Sequence, residues 1–132
     1  MRELIERLRA SAVQATPQRL AIAEYVLKTT DHPTAEEVWK RVRRRCPTLS
    51  RATVYNTLNL FTERGLLKSR TLVEGVVVFD PNVGRHHHFV DEETMTIYDI
   101  PWEALTVSGD GRIQGFEVRE YQVVLRGRRR RS

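Results

Sequence analysis

Cysteine is almost missing from this chain, with Cys46 its sole example. One thiol cannot close an intramolecular disulfide, so the reducing cytoplasm is the expected compartment. With no cysteine partner and no histidine near it in sequence, Cys46 is expected to be a small core residue rather than a reactive one. Long apolar runs are missing as well. No stretch approaches the roughly 18 apolar residues that span a bilayer. The opening MRELIERLRA is charged, with helical spacing and no apolar block before a cleavage site, so neither an anchor nor a signal peptide is expected. Internal repeats are absent, and low complexity is confined to the closing RRRRS.

What remains is a chain of 132 residues, 40% hydrophobic, enough for one or two small cores and too apolar for general disorder. Its net charge of +5 is unevenly placed. Residues 1–80 carry 14 Lys/Arg against 9 Asp/Glu, whereas residues 81–127 carry 4 against 8. A basic first part suits a polyanionic partner, and the acidic second part is expected to do something else.

Helical punctuation is clear in the basic part. Leu4, Ile5, Leu8 and Ala12 form one stripe of a helix over 2–13. Thr16-Pro17 reads as an N-cap and first-turn proline of a second helix running to about Thr29, with Leu20, Ala23, Val26 and Leu27 inward. Thr34-Ala35-Glu36-Glu37 is a capping box for a third helix with Ala35, Val38, Trp39 and Val42 on its apolar face. Ser50 caps a fourth helix that buries Val54, Leu58 and Phe61 and stops at Gly65. Two strands follow, joined around Glu74-Gly75.

This order is that of a winged helix-turn-helix, and the fold class expected is α+β. The boundaries expected are a winged-helix DNA-binding domain over 1–80, a hinge over 81–85, a small α/β domain over 86–127, and a basic tail over 128–132. In the second domain, residues 86–90 and 95–100 read as a hairpin, and the stretch 115–127 contains a further strand. Being too small to stand comfortably alone, it is expected to pair with a copy of itself.

The exposed face of the fourth helix carries the chemistry of base reading. Arg51, Tyr55, Asn59 and Thr62 oppose its buried stripe, flanked by Thr53 and Asn56. Arginine can bond guanine bidentately, asparagine can do so with adenine, and an aromatic ring can pack on a thymine methyl. N-terminal residues of such a helix make most base contacts, which singles out Arg51, Thr53, Tyr55 and Asn56. Lys68 and Arg70 on the wing and Arg19 on the second helix are expected at phosphates or the minor groove.

All four histidines sit where they bear on metal binding: His32 before the third helix, and His86, His87 and His88 after the hinge. Strand alternation puts His86 and His88 on one face and turns His87 away. If Glu92-Glu93 is a two-residue turn, His86 faces Asp99 directly, and a register change of two keeps Asp99 on the same face. Asp80, ending the wing strand, is a further carboxylate within reach of the hinge. Imidazole and carboxylate donors suit iron(II), manganese(II), zinc or nickel, and not thiolate-loving copper(I).

The strings TPQR at 16–19, HPTAEEVW at 32–39, SRATVYNTL at 50–58, RGLL at 64–67, VVFD at 77–80, HHHF at 86–89, IYD at 97–99 and GF at 115–116 resemble the ferric uptake regulator family. The resemblance implies a homodimer that binds a palindromic double-stranded operator. It also implies one regulatory divalent metal per subunit, iron(II) or manganese(II), with zinc able to substitute in vitro. The ligands it implies are His32, Asp80, His86, His88 and Asp99. Aspartate at both 80 and 99 is similar to the peroxide-sensing PerR branch, in which iron-dependent oxidation of ligand histidines releases DNA; His32 and His86 are the oxidation-sensitive candidates. One departure is large. Many relatives hold a structural zinc in two CxxC pairs, but here the first reads Asp91-Glu92-Glu93-Thr94 and the tail has no cysteine, so no cysteine-based structural zinc can form. The dimer is then expected to rely on Ile97, Ile100, Phe116, Val118, Val123 and Leu125.

Three rivals stand beside this reading: a metal-availability regulator without peroxide chemistry, a constitutive DNA-binding protein with a structural metal, and a small His/Asp metal-dependent hydrolase. A hydrolase would need an open coordination position and a general base, and no acid–base pair is left over beyond the ligands. Neither a membrane nor a small-molecule substrate is expected as a partner.

Overall fold

The computed structural model describes residues 1–109 and 111–130, and the chain divides into two compact units, Met1–Val83 and Gly84–Ser132. The last two residues of the basic tail, Arg131 and Ser132, lie outside the described residues.

The first unit orders as α1 (Arg2–Ala10), α2 (Pro17–Val26), α3 (Ala35–Val42), α4 (Arg51–Glu63), β1 (Lys68–Val73) and β2 (Val76–Asp80). Each helix begins or ends where its cap chemistry dictates. Thr16 accepts the Arg19 N–H at 3.3 Å, and Ser50 accepts that of Thr53 at 3.1 Å. Thr34 and Glu37 close a reciprocal capping box, both bonds 3.1 Å. Helix α4 stops as the Leu66 N–H turns back to the Phe61 carbonyl and the Gly65 N–H to that of Thr62, with Gly65 at φ +77°.

Helix α1 is shorter than its apolar stripe suggests. Val13 donates to the Leu8 carbonyl and Ala12 to that of Arg9, with Ala12 left-handed at φ +59°. This closing turn takes Ala12 out to solvent and drops Val13 into the core in its place. Helix α2 ends at Val26 rather than near Thr29, because the Lys28 N–H turns to the Tyr25 carbonyl in a tighter, three-residue bond. Leu4, Leu8, Ile22, Val26, Val38, Val54, Leu58 and Phe61 make one continuous core. Cys46 is half-buried and packs against it.

Strands β1 and β2 form an antiparallel hairpin, with Lys68 opposite Asp80 and an irregularity between Arg70 and Val73. Its loop is Glu74-Gly75, Gly75 taking φ +75°. This is the wing of a winged helix-turn-helix fold.

In the second unit, β3 (His86–Asp91) is the centre of a three-stranded sheet, between β4 (Thr96–Pro101) and β5 (Val124–Gly127). Strand β4 runs antiparallel to β3 and β5 parallel to it. The parallel partner requires a crossover, supplied by a short 3-10 turn at Trp102–Ala104 and a long irregular connection. The strand expected within 115–127 is Val124–Gly127. Residues 115–123 lack strand structure: Phe116 is 76% exposed, whereas Tyr121 packs on the Trp102 ring at 4.8 Å. Among the described residues no helix is long and apolar enough to cross a membrane.

Candidate metal centre and nucleic-acid face

Alternation along β3 decides which histidines work together. His86 and His88 share a face, their ring centroids 4.5 Å apart, and His87 turns to the other face to stack on Trp102 at 4.6 Å. The β3–β4 loop spans Glu92–Met95, not a two-residue turn, so the register moves by two from the simplest hairpin. Asp99 therefore lies opposite His88 rather than His86. The shift is even, so the face is unchanged. Asp99 Oδ1 stands 3.3 Å from His86 Nε2 and 3.6 Å from His88 Nε2.

The far nitrogens of both rings are tied down. His86 Nδ1 is 2.8 Å from the Gly84 carbonyl, and His88 Nδ1 is 2.9 Å from Gln122 Oε1. Both partners are acceptors, so each Nδ1 donates to its partner and each Nε2 is the nitrogen that faces Asp99. A histidine whose outer N–H is held in this way is fixed in tautomer and ring orientation as a metal ligand.

The first unit holds a second imidazole–carboxylate pair. The Phe79 N–H donates to the Pro33 carbonyl at 2.9 Å, drawing the loop before α3 onto the wing strand. The neighbours of these two residues, His32 and Asp80, consequently meet, with Nε2 3.6 Å from Oδ2. His32 is left-handed at φ +52°, a conformation uncommon for a side-chain-bearing residue. Asp80 Oδ1 accepts the Asn82 N–H at 2.9 Å, and Oδ2 accepts Arg70 Nε at 3.3 Å. Imidazole nitrogens and carboxylate oxygens, with no thiolate, fit iron(II), manganese(II) or zinc.

The exposed side of α4 is polar and continuous with the start of α2. Thr16, Gln18, Arg19, Thr53, Asn56 and Thr57 line an open cavity of about 290 Å³. Tyr55 stands out beside it, 48% exposed.

Over residues 10–126 the sequence matches the family described as the Ferric uptake regulator family. The chain belongs to that family. It is 33% identical to the Peroxide operon regulator of Bacillus subtilis, over 96% of this chain and 89% of the relative. It is 35% identical to the Peroxide-responsive repressor PerR of Staphylococcus epidermidis, over 80% of this chain and 70% of that one. Among solved structures, a zinc-bound manganese uptake regulator superposes with a TM-score of 0.76 at 26% identity, over 96% of this chain and 98% of the other. The chain is thus a metal-responsive transcription regulator of the ferric uptake regulator family and not an enzyme, which removes the hydrolase reading. Regulators of the family bind DNA and act as dimers.

Within this family member, the five residues implied as ligands fall into two sets: His86, His88 and Asp99 converge in one unit, and His32 and Asp80 pair in the other. Of the residues expected at DNA, Thr53, Tyr55 and Asn56 lie on the open side of α4, with Arg19 close by. Arg70, on the wing, has a carboxylate partner within its own hairpin. Its side chain is 9% exposed and it is bound to Asp80, because a guanidinium beside a buried carboxylate is held by it rather than by solvent. Arg51 also has a carboxylate partner, Glu36, whose carboxyl it holds below the usual range by hydrogen bonding.

Sequence reasoning missed Gln122, Glu36 and the carbonyl of Gly84. Gln122 reaches His88 only through the parallel β3–β5 pairing, which no local pattern announces. Glu36 reads as a first-turn acid of α3, and its second use depends on how α3 and α4 cross.

Proposed function

We propose that this protein is a metal-dependent DNA-binding repressor that senses peroxide in the cytoplasm. The reading is carried by the pair of imidazoles, each tied at Nδ1 with Nε2 turned toward the aspartate Asp99. It draws further support from relatives named as peroxide regulators.

In this reading His32, Asp80, His86, His88 and Asp99 hold one regulatory divalent metal per subunit, iron(II) or manganese(II). Bound iron(II) would supply the redox chemistry by which peroxide oxidises a ligand histidine, at His32 or His86. The residues themselves do the rest. Gly84 and Gln122 keep His86 and His88 in the metal-binding tautomer, and Asp80 and Asp99 neutralise the ion's charge. Ligands contributed by both units restrain the freedom between them, so a homodimer with metal would meet a palindromic operator at a lower conformational cost. Arg19, Arg51, Thr53, Tyr55, Asn56 and Lys68 face the DNA. An oxidised histidine no longer ligates, and DNA is released.

The test is binding to operator fragments selected by the protein itself from genomic DNA, with iron(II) or manganese(II), before and after micromolar hydrogen peroxide. Release in the iron form alone supports the reading. Release by metal removal with no response to peroxide would make this a metal-availability regulator, the second reading, which the likeness to a manganese uptake regulator favours. Binding indifferent to both metal and peroxide would overturn both.

A further inference from the structure

Arg51 opens α4, and its side chain is 58% exposed, yet it is not a loose surface cation. Its Nε donates to Glu36 Oε2 at 2.9 Å and its Nη2 to Glu36 Oε1 at 3.0 Å, a two-point contact. Its guanidinium carbon lies 3.9 Å from the centroid of the Trp39 ring. Trp39 is itself pinned, its indole N–H donating to the Leu49 carbonyl at 2.9 Å, and it carries a second cation, Arg43, at 4.5 Å. Glu36, Trp39 and Arg43 follow one another along one face of α3.

The consequence lies in which donors remain. A guanidinium has five N–H groups in a rigid fork. Glu36 takes Nε–H and one N–H of Nη2. The end-on edge, one N–H from Nη1 and one from Nη2, makes no bond among the described residues. That edge is the shape that meets O6 and N7 of guanine in the major groove. Charge points the same way. Glu36 offsets the cation, so the pair as a whole is close to neutral, poorly suited to a phosphate anion and well suited to an uncharged base edge.

We propose that Arg51 reads one guanine in each operator half-site through its Nη1–Nη2 edge, and that Glu36 and Trp39 are positioning residues for it. The proposal rests on the DNA-binding reading above and adds a specificity-determining device to it.

The test is selection from randomised duplexes by the full-length, metal-loaded protein, its R51A and E36Q variants, and measurement of affinity against salt. Thermal melts of each protein run alongside. The expected result is a guanine preference at one symmetric position for the unmodified protein. R51A loses that preference, by about ten- to a hundredfold in relative affinity, with the other positions unchanged. E36Q weakens the preference at the same position and leaves the salt slope intact. A uniform loss across all sequences in R51A, with the salt slope reduced by about one, would make Arg51 a phosphate contact and overturn the proposal. So would lower melting temperatures with an unchanged selected site, the mark of a strut between α3 and α4. A uniform gain of affinity in E36Q would show Glu36 only sequestering the cation. If the unmodified protein selects no sequence with any metal, the DNA-binding reading itself fails, a result distinct from loss at one position.

Discussion

His88 stands directly opposite Asp99 in the β3–β4 ladder, its Nε2 3.6 Å from Asp99 Oδ1, and His86 approaches the same oxygen at 3.3 Å. One carboxylate oxygen therefore serves two imidazoles. Asp99→Ala is expected to weaken manganese(II) binding by more than about a hundredfold, above the range for loss of an outer-sphere partner. Metal titration followed by calorimetry checks this. An affinity within a few-fold of the unmodified protein would remove Asp99 from the ligand set.

Gln122→Leu tests the tautomer argument separately. Without Oε1 the His88 Nδ1 proton loses this acceptor, and metal affinity is expected to fall about 10- to 100-fold. The melting temperature should change little, since Gln122 is exposed and lies outside the apolar core. Calorimetric titration and a thermal melt together separate a ligand-positioning role from a folding one.

Tyr55 divides the two functions. It is half-exposed on α4, in the unit that does not hold His86, His88 and Asp99. Tyr55→Ala is expected to lower operator affinity by about tenfold, of the order of one lost base contact, with metal affinity unchanged. Loss of both would contradict the division of labour between the helix face and the metal ligands.

Phe61 and Gly65 offer a contrast in stability at the end of one helix. Phe61 is fully buried in the core of the first unit, and Phe61→Ala should destabilise that unit by about 3–5 kcal/mol. Gly65 has φ +77° with open space where a Cβ would sit, so Gly65→Ala meets only backbone strain, about 1–2 kcal/mol. Denaturant melts should rank the two in that order; the reverse ranking would refute the packing account.

Local chemistry makes much of this molecule legible in its sequence. The Thr16, Thr34 and Ser50 caps, the Val54-Leu58-Phe61 stripe and the Glu74-Gly75 turn depend on residues a few positions apart, and each is found as expected. The shared face of His86, His88 and Asp99 also survives, because strand alternation tolerates an even register error. What was hidden depends on long-range contact. The bond between Arg70 and Asp80 follows from the hairpin register, which places Asp80 within its reach. Glu36 meets Arg51 only because α3 crosses α4. A strand within 115–127 was legible, but its extent, Val124–Gly127, and its parallel pairing with β3 depend on contact with a distant segment.

The most direct test of the peroxide-sensing account is mass spectrometry of the peptides containing His32 and His86, after brief hydrogen peroxide treatment of iron(II)- and manganese(II)-loaded protein. The account predicts one added oxygen on one or both peptides in the iron form alone, rising in step with DNA release. DNA release by peroxide with both histidines unmodified, or equal oxidation in the manganese form, would contradict it.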